Sequence, residues 1–289
     1  TLSVNNTVAN VTFTGDGSTV TNAVSFANDG ALTIGDANTD DITFNGGLTT
    51  TSVGGTVTLG GNIATSNDAI VLGAVTLANS ITIDTNASTN AGDITVAAIT
   101  GGSNNLTLST GDNVAGADIT ASGAISGLGN LTLADVGGTA TFSNNVAAAT
   151  LSANNTVANI IFTGGTNTFS AASTLANDGT LTFGDATGDS FTFNGGLTTT
   201  SVGGTVTLNT NISSSDDDLT FGAITTGNAI TIDTNATSTS TGDITISGAI
   251  SGPSNTLTLT TENNVANADI TISGAIGNIT TLTLANVGG

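Results

Sequence analysis

The stretch TFNGGLTTTSVGGTVTL occupies Thr43–Leu59 and returns unchanged at Thr192–Leu208. With the preceding Ile42 it opens on an apolar–Thr–apolar triplet, Ile42-Thr43-Phe44, and it closes on another, Val57-Thr58-Leu59. Side chains alternate between the two faces of a strand. Each triplet therefore puts two apolar residues on one side and Thr on the other. Between the triplets lie Asn45-Gly46-Gly47 and Val53-Gly54-Gly55. Gly and Asn tolerate the backbone angles of tight turns. Short strands broken by turns, in a block that recurs, point to stacked β-coils.

Working outward, the rest of the chain follows the same two-copy plan. TLSVNNTVAN at Thr1 returns as TLSANNTVAN at Thr150, and Ala27–Gly30 returns at Ala176–Gly179. Ile81–Asp84 returns at Ile230–Asp233. The offset then slips by one residue near Asp93/Asp243 and by another near Leu106/Leu257. Both slips fall in polar stretches, where loops absorb insertions. The copies end on Leu133–Gly138 (LADVGG) and Leu284–Gly289 (LANVGG). The expected organisation is unit 1 over 1–149, with about six coils and a linker at 139–149, and unit 2 over 150–289. Neither end carries an atypical capping sequence, so the chain is expected to be a segment of a longer array.

Composition narrows the fold. The 289 residues include 39 Gly, 10 Phe and one Pro (Pro253), with no Lys, Arg, His, Cys, Met, Trp or Tyr. Apolar residues reach 37%, enough for a core. The helix formers Lys, Arg, Met and Gln are absent and Glu occurs once, at Glu262, whereas β-branched residues suit a pleated surface. Further triplets at Leu32–Ile34, Ile81–Ile83, Ile94–Val96, Leu106–Leu108 and Leu131–Leu133 keep the rhythm. Two or so strands per coil would give coils of roughly twenty to thirty residues. Inward Leu, Ile, Val and Phe are expected to stack in ladders, and turn Asn side chains to bond between coils. The predicted fold is all-β, an elongated parallel β-solenoid of two long tandem units. Tandem β-sandwiches are the competing architecture. Immunoglobulin-type sandwiches often carry a core Trp and a corner Tyr, and this chain has neither.

The LTL/ITI strands with NGG and GDI turns resemble giant bacterial surface proteins of the filamentous-haemagglutinin and autotransporter-passenger type. GDITISGAISG (Gly242–Gly252) and TLANDGTLTFGD (Thr174–Asp185) carry the likeness. The resemblance spans nearly the whole chain. It implies secretion, a right-handed β-helix, and a role in adhesion, biofilm matrix or surface filaments. In such proteins the repeat often serves as a stalk.

The residue supply excludes most chemistry. Triads, Cys nucleophiles and Lys Schiff bases need residues the chain lacks. Asn38-Thr39-Asp40-Asp41 superficially resembles an Asn-Thr-Asp motif of β-helical pectin-cleaving enzymes, but the second copy reads Thr187-Gly188-Asp189-Ser190. It is expected to be a polar turn, and the protein not an enzyme. The net charge of −21 argues against nucleic acid and anionic lipid and leaves cations as the natural counterpart. Asp216, Asp217 and Asp218 form the densest acidic cluster and the weak Ca²⁺ candidate, set against Ser66-Asn67-Asp68 in the first copy. Thr256, Thr258 and Thr260 are placed on one outward face. Asn-x-Ser/Thr occurs at Asn5, Asn10, Asn86, Asn105, Asn130, Asn154, Asn211, Asn235 and Asn278.

The expected function is a structural stalk or filament-forming repeat of an extracellular or cell-surface protein. Its partners are then neighbouring repeats, with possible lateral self-association into fibres and no membrane insertion. The alternative is a glycan- or surface-binding module. That alternative requires one face to vary less between the two copies than the others.

Overall fold

The computed structural model describes residues 1–235, 241–262 and 266–288. Among them there is no helix, and the strands pair in parallel as a β-solenoid of about 11 turns. The chain divides into two compact units, Thr1–Ala148 with Thr156–Ala158, and Ala149–Asn155 with Asn159–Gly289.

In the first unit each turn contributes to three faces. On one face Val11 pairs with Leu32, Leu32 with Val57, Val57 with Val75, Val75 with Ile99 and Ile99 with Ile125. On the next, Ile42 pairs with Ile63, Ile63 with Ile83, Ile83 with Leu108 and Leu108 with Leu133. The third runs Val24, Leu48, Ile70, Ile94, Ile119 and Ala140. We refer to these as the Leu32, Ile42 and Leu48 faces. The second unit builds the same three ladders, through Leu181, Phe191 and Leu197 respectively.

Three strands per turn replace the two expected from sequence. The triplets mark two faces clearly. The Leu48 face begins with two-residue strands, Val24–Ser25 and Leu48–Thr49, too short for an alternating pattern to show. Some turns also run two faces together: Ile70–Leu77 is one strand whose first half lies on the Leu48 face and whose second half lies on the Leu32 face. The stretch expected to be a linker, 139–149, is also part of the coil. Thr139–Phe142 is a strand, and Ala140 to Phe142 pair with Ile119 to Ala121.

The core is the inward row of each ladder. Leu32, Ile34, Phe44, Leu59, Ile83, Leu106 and Leu108 are fully buried in the first unit. Burying one such side chain is worth about 1.5–3 kcal/mol. The second unit concentrates its aromatic residues. Phe169 stacks on Phe193 at 5.0 Å between ring centres, Phe162 stacks on Phe183 at 5.9 Å, and Phe191 meets Phe183 edge-on at 5.0 Å. In-register pairing brings like residues together, which is why rings meet rings.

Glycines within Thr43–Leu59 are held by close approach and by backbone conformation. A side chain on Gly54 would overlap the Asp29 carbonyl of the preceding turn, and one on Gly203 would overlap Asp178 in the same way. At Gly47 and Gly196 the backbone is left-handed, with φ of 95° and 87°, a conformation that favours glycine.

Candidate functional site

The acidic cluster sits on the turn that leads into Leu219–Phe221. Because Leu219 pairs with Leu197 as Ile70 pairs with Leu48, the first-copy equivalent of Asp216–Asp218 is Asn67-Asp68-Ala69. That corrects by one residue the alignment read from sequence. The three carboxylates have different surroundings. Asp216 has a left-handed backbone, φ 69°, as does Asn67, φ 68°. Burial pushes the Asp217 carboxyl up, helped by the charges of Asp218 and Asp216. Its backbone carbonyl accepts from the Ser214 hydroxyl. The Asp218 carboxylate instead accepts the Asp243 N–H at 2.9 Å. Asp216, Asp217 and Asp218 line a shallow polar recess with Gly195, Gly196 and Thr241. Among the described residues no three acidic side chains converge as a metal site. Asp217 thus serves a turn through its carbonyl, and the Asp218 carboxylate a backbone bond between turns.

Asp218 belongs to a column that sequence reading missed. The Asp269 N–H donates to the Asp243 carboxylate at 2.8 Å, as Asp243 does to Asp218. In the first unit the Asp118 N–H donates to Asp93 at 2.9 Å, and the Thr139 N–H to Asp118 at 2.7 Å. Each Asp immediately precedes a strand of the Leu48 ladder or its second-unit equivalent, and its carboxylate satisfies a backbone donor of the next turn. The repeated GDI and ADI tripeptides were the available signal.

The Asn38–Asp41 motif is a turn clamp. The Asp40 carboxylate accepts from the N–H groups of Asp36 at 2.9 Å and Ala37 at 3.1 Å, which hold it below the usual carboxylate range. The Asp189 carboxylate accepts the equivalent pair of bonds in the second copy, from the N–H groups of Asp185 at 2.9 Å and Ala186 at 3.0 Å. The part of the motif that persists is the clamping Asp.

Asn side chains bond between turns as expected. Asn255 donates to the Asn228 carbonyl at 2.6 Å, Asn228 to Asn209 at 2.7 Å, and Asn209 to Gly184 at 2.8 Å. Several of the Asn-x-Ser/Thr sites are such junctions. Asn105 accepts from the Asn130 N–H at 2.8 Å, Asn211 from Thr231 at 2.8 Å and Asn10 from Ala31 at 2.9 Å. A turn Asn followed by an apolar–Thr strand writes the tripeptide automatically. The Asn235 amide donates to the Ser214 carbonyl at 2.7 Å, while Ala236 and Thr237 of its site lie outside the described residues.

Threonine serves two roles. In-register outward rows run Thr33, Thr58, Thr76 on the Leu32 face and Thr198, Thr220, Thr245, Thr271 in the second unit. Thr256 and Thr258 are half-buried. Thr260 departs from the expected outward row: it is only 7% exposed, and its hydroxyl accepts the Glu262 N–H at 3.2 Å. A second set points inward at a corner. Thr65, Thr85 and Thr110 are buried, and Ser214, Thr234 and Thr261 match them in the second unit. Thr85 donates to the Gly92 carbonyl at 2.8 Å, and Thr234 to Gly242 at 2.8 Å. Thr110 and Thr261 donate to Asp135 at 2.8 Å and Asn286 at 2.9 Å.

No protein-family model, curated protein or solved structure matches this chain.

Proposed function

We propose that the chain is a structural stalk or filament-forming repeat of a secreted or cell-surface protein, of the kind found in adhesins, matrix or surface fibres, and that it performs no catalysis. The observation that carries this reading is where the two copies differ. On the Leu32 face, Thr12 becomes Ile161 and Thr100 becomes Ser251. On the Ile42 face, Asp41 becomes Ser190 and Ala64 becomes Ser213. On the Leu48 face, Ser25 becomes Thr174 and Val71 becomes Thr220. Differences are spread around the turn and reach the core, where Ile34 becomes Phe183 and Leu72 becomes Phe221, while the apolar ladders and turn bonds recur. A recognition surface would need one face held constant, so the glycan-binding alternative loses its main support. The resemblance to filamentous-haemagglutinin and autotransporter-passenger repeats supports the surface location.

Immunogold labelling of the source cell with antibody to this chain is expected to mark the outer surface or the surrounding matrix. A glycan array probed with the purified chain is expected to show no saturable binding. Cytosolic labelling would refute the location. Selective glycan binding abolished by substituting the Thr row of one face would refute the stalk role.

A further inference from the structure

From Val57 to Asp135 the acidic residues of the first unit are Asp68, Asp84, Asp93, Asp112, Asp118 and Asp135. Each lies at the end of an Ile42-face strand or on the stretch that leads from it to the Leu48 face. The second unit repeats the pattern. Between Val206 and Asp269 its acids are Asp216–Asp218, Asp233, Asp243, Glu262 and Asp269, all at the equivalent corner. Earlier in each copy acids also stand elsewhere, as at Asp36 and Asp185. In a three-faced turn this acidic corner lies across from the Leu32 face. Other turns flank Val57–Ser126 on both sides, so what its Leu32 face exposes is lateral surface.

Over these turns the Leu32 face carries no charge. Thr58, Thr76, Thr100 and Ser126 stand in register on its outer side, and Thr56, Ala74 and Ala124 beside them are exposed. A shallow recess on this face is lined by Gly55, Thr56, Ala74, Thr76, Ala98 and Thr100. In the second unit Thr207, Thr225 and Ser251 form the row, with Thr205, Ala223 and Ala249 exposed beside it. The other two faces border the acidic corner. Asp93 and Asp118 stand two residues before Thr95 and Thr120 on the Leu48 face, and Asp84 follows Ile83 on the Ile42 face. A chain of net charge −21 with no Lys, Arg or His has no cation to offer a second copy. Two copies therefore meet at lowest cost where neither presents charge.

We propose that copies of this chain associate side by side, the Leu32 face or its second-unit equivalent of one molecule packing on the same face of another. Like surfaces meet, so the contact is isologous. Small side chains let the two sheets approach to about 10 Å, and the Thr hydroxyls both donate and accept across the contact. The acidic corners then point away from each other with both coils between them. That places them beyond the screening length of about 8 Å at physiological salt. The inference names a partner and a face for the filament-forming reading. It rests on that reading only for its biological use, because association of the purified chain is a property of its surface.

The test is sedimentation velocity over a hundredfold range of chain concentration, at about 0.01 M and about 0.15 M NaCl. The average mass of the wild-type chain should rise with concentration, and more steeply at the higher salt. Thr76→Asp/Thr225→Asp puts a carboxylate on the proposed face of each unit and should remain monomeric where the wild type associates. Thr95→Asp/Thr245→Asp adds the same charge on the Leu48 face and its equivalent, and should associate like wild type. Circular dichroism checks that both variants stay β-structured. A wild-type chain that is monomeric at both salts, association that weakens as salt rises, or equal behaviour of the two double variants would overturn the proposal. So would glycan-array binding that only Thr76→Asp/Thr225→Asp abolishes, since the face would then belong to a glycan. A monomeric chain that immunogold places on the cell surface would remove this contact and leave the structural reading standing.

Discussion

Thr85 and Thr110 occupy the same inward corner on successive turns, and the hydroxyl of Thr85 donates to the carbonyl of Thr110 at 3.2 Å as well as to that of Gly92 at 2.8 Å. Thr65 stands one turn before and donates in turn to the Thr85 carbonyl at 3.2 Å. The Thr85 carbonyl also accepts the Asn67 N–H at 3.0 Å, so at this corner backbone and hydroxyl donors share the carbonyls. A buried carbonyl without a donor is costly. The Thr85 hydroxyl supplies a donor to the carbonyls of Gly92 and Thr110.

Thr85→Val keeps the shape and removes the donor. It is expected to destabilise the chain by about 1–3 kcal/mol. Thr82→Val, on the outward side of the same strand, should stay within about 0.5 kcal/mol. Denaturant unfolding of both variants measures the contrast, and equal effects would remove the corner column from the account.

Two carboxylates sit against their surroundings at neutral pH. Burial raises Asp217, with its neighbours Asp218 and Asp216 adding to it. Burial also raises Asp233, with Glu262 adding to it and the Asn235 N–H opposing. A carboxyl raised in the folded state contributes stability below its unfolded value, about pH 4, and loses it as pH climbs through the folded value. Asp217→Asn and Asp233→Asn are therefore expected to raise the melting temperature at pH 7, with the gain shrinking as pH falls toward 4. Asp40 has the opposite sign: its clamp acts above the unfolded value and is lost as pH falls through its lowered folded value. Asp40→Asn should lower the melting temperature at pH 7 and converge with wild type in acid. Thermal melts across that range decide both signs.

A chain with 21 acidic residues and no Lys, Arg or His repels itself. Raising NaCl from about 0.01 M to about 0.15 M shortens the screening length from about 30 Å to about 8 Å. The melting temperature should rise accordingly. CaCl₂ matched in ionic strength should add a general effect and no stoichiometric site. Isothermal titration showing one tight Ca²⁺ per chain, lost in Asp217→Asn, would restore the cation site at Asp216–Asp218.

The parallel solenoid was legible because triplets such as Leu32-Thr33-Ile34 carry a period of two in the fewest residues that can show one. The Leu48 face was not, since Leu48–Thr49 has no third residue to complete the pattern. The inward corner hydroxyls were hidden for a different reason. Thr82 and Thr85 lie three residues apart on one strand, so alternation turns them to opposite sides, and an inward Thr gives no apolar signal to mark it. The Asp216–Asp218 cluster drew attention by density. What the fold uses is one carboxylate per turn, as Asp93, Asp118, Asp218 and Asp243 show.

The solenoid stands on its turn-to-turn register, and the chain, lacking Cys, allows that register to be tested cleanly. Thr33 pairs with Thr58, and Thr58 with Thr76. Neighbouring strands lie about 4.8 Å apart, within disulfide reach, whereas residues two turns apart do not. Under mild oxidation, the pairs Thr33→Cys/Thr58→Cys and Thr58→Cys/Thr76→Cys should cross-link within one chain, and Thr33→Cys/Thr76→Cys should stay reduced. Cross-linking of the two-turn pair, or its absence from both adjacent pairs, would contradict the in-register solenoid.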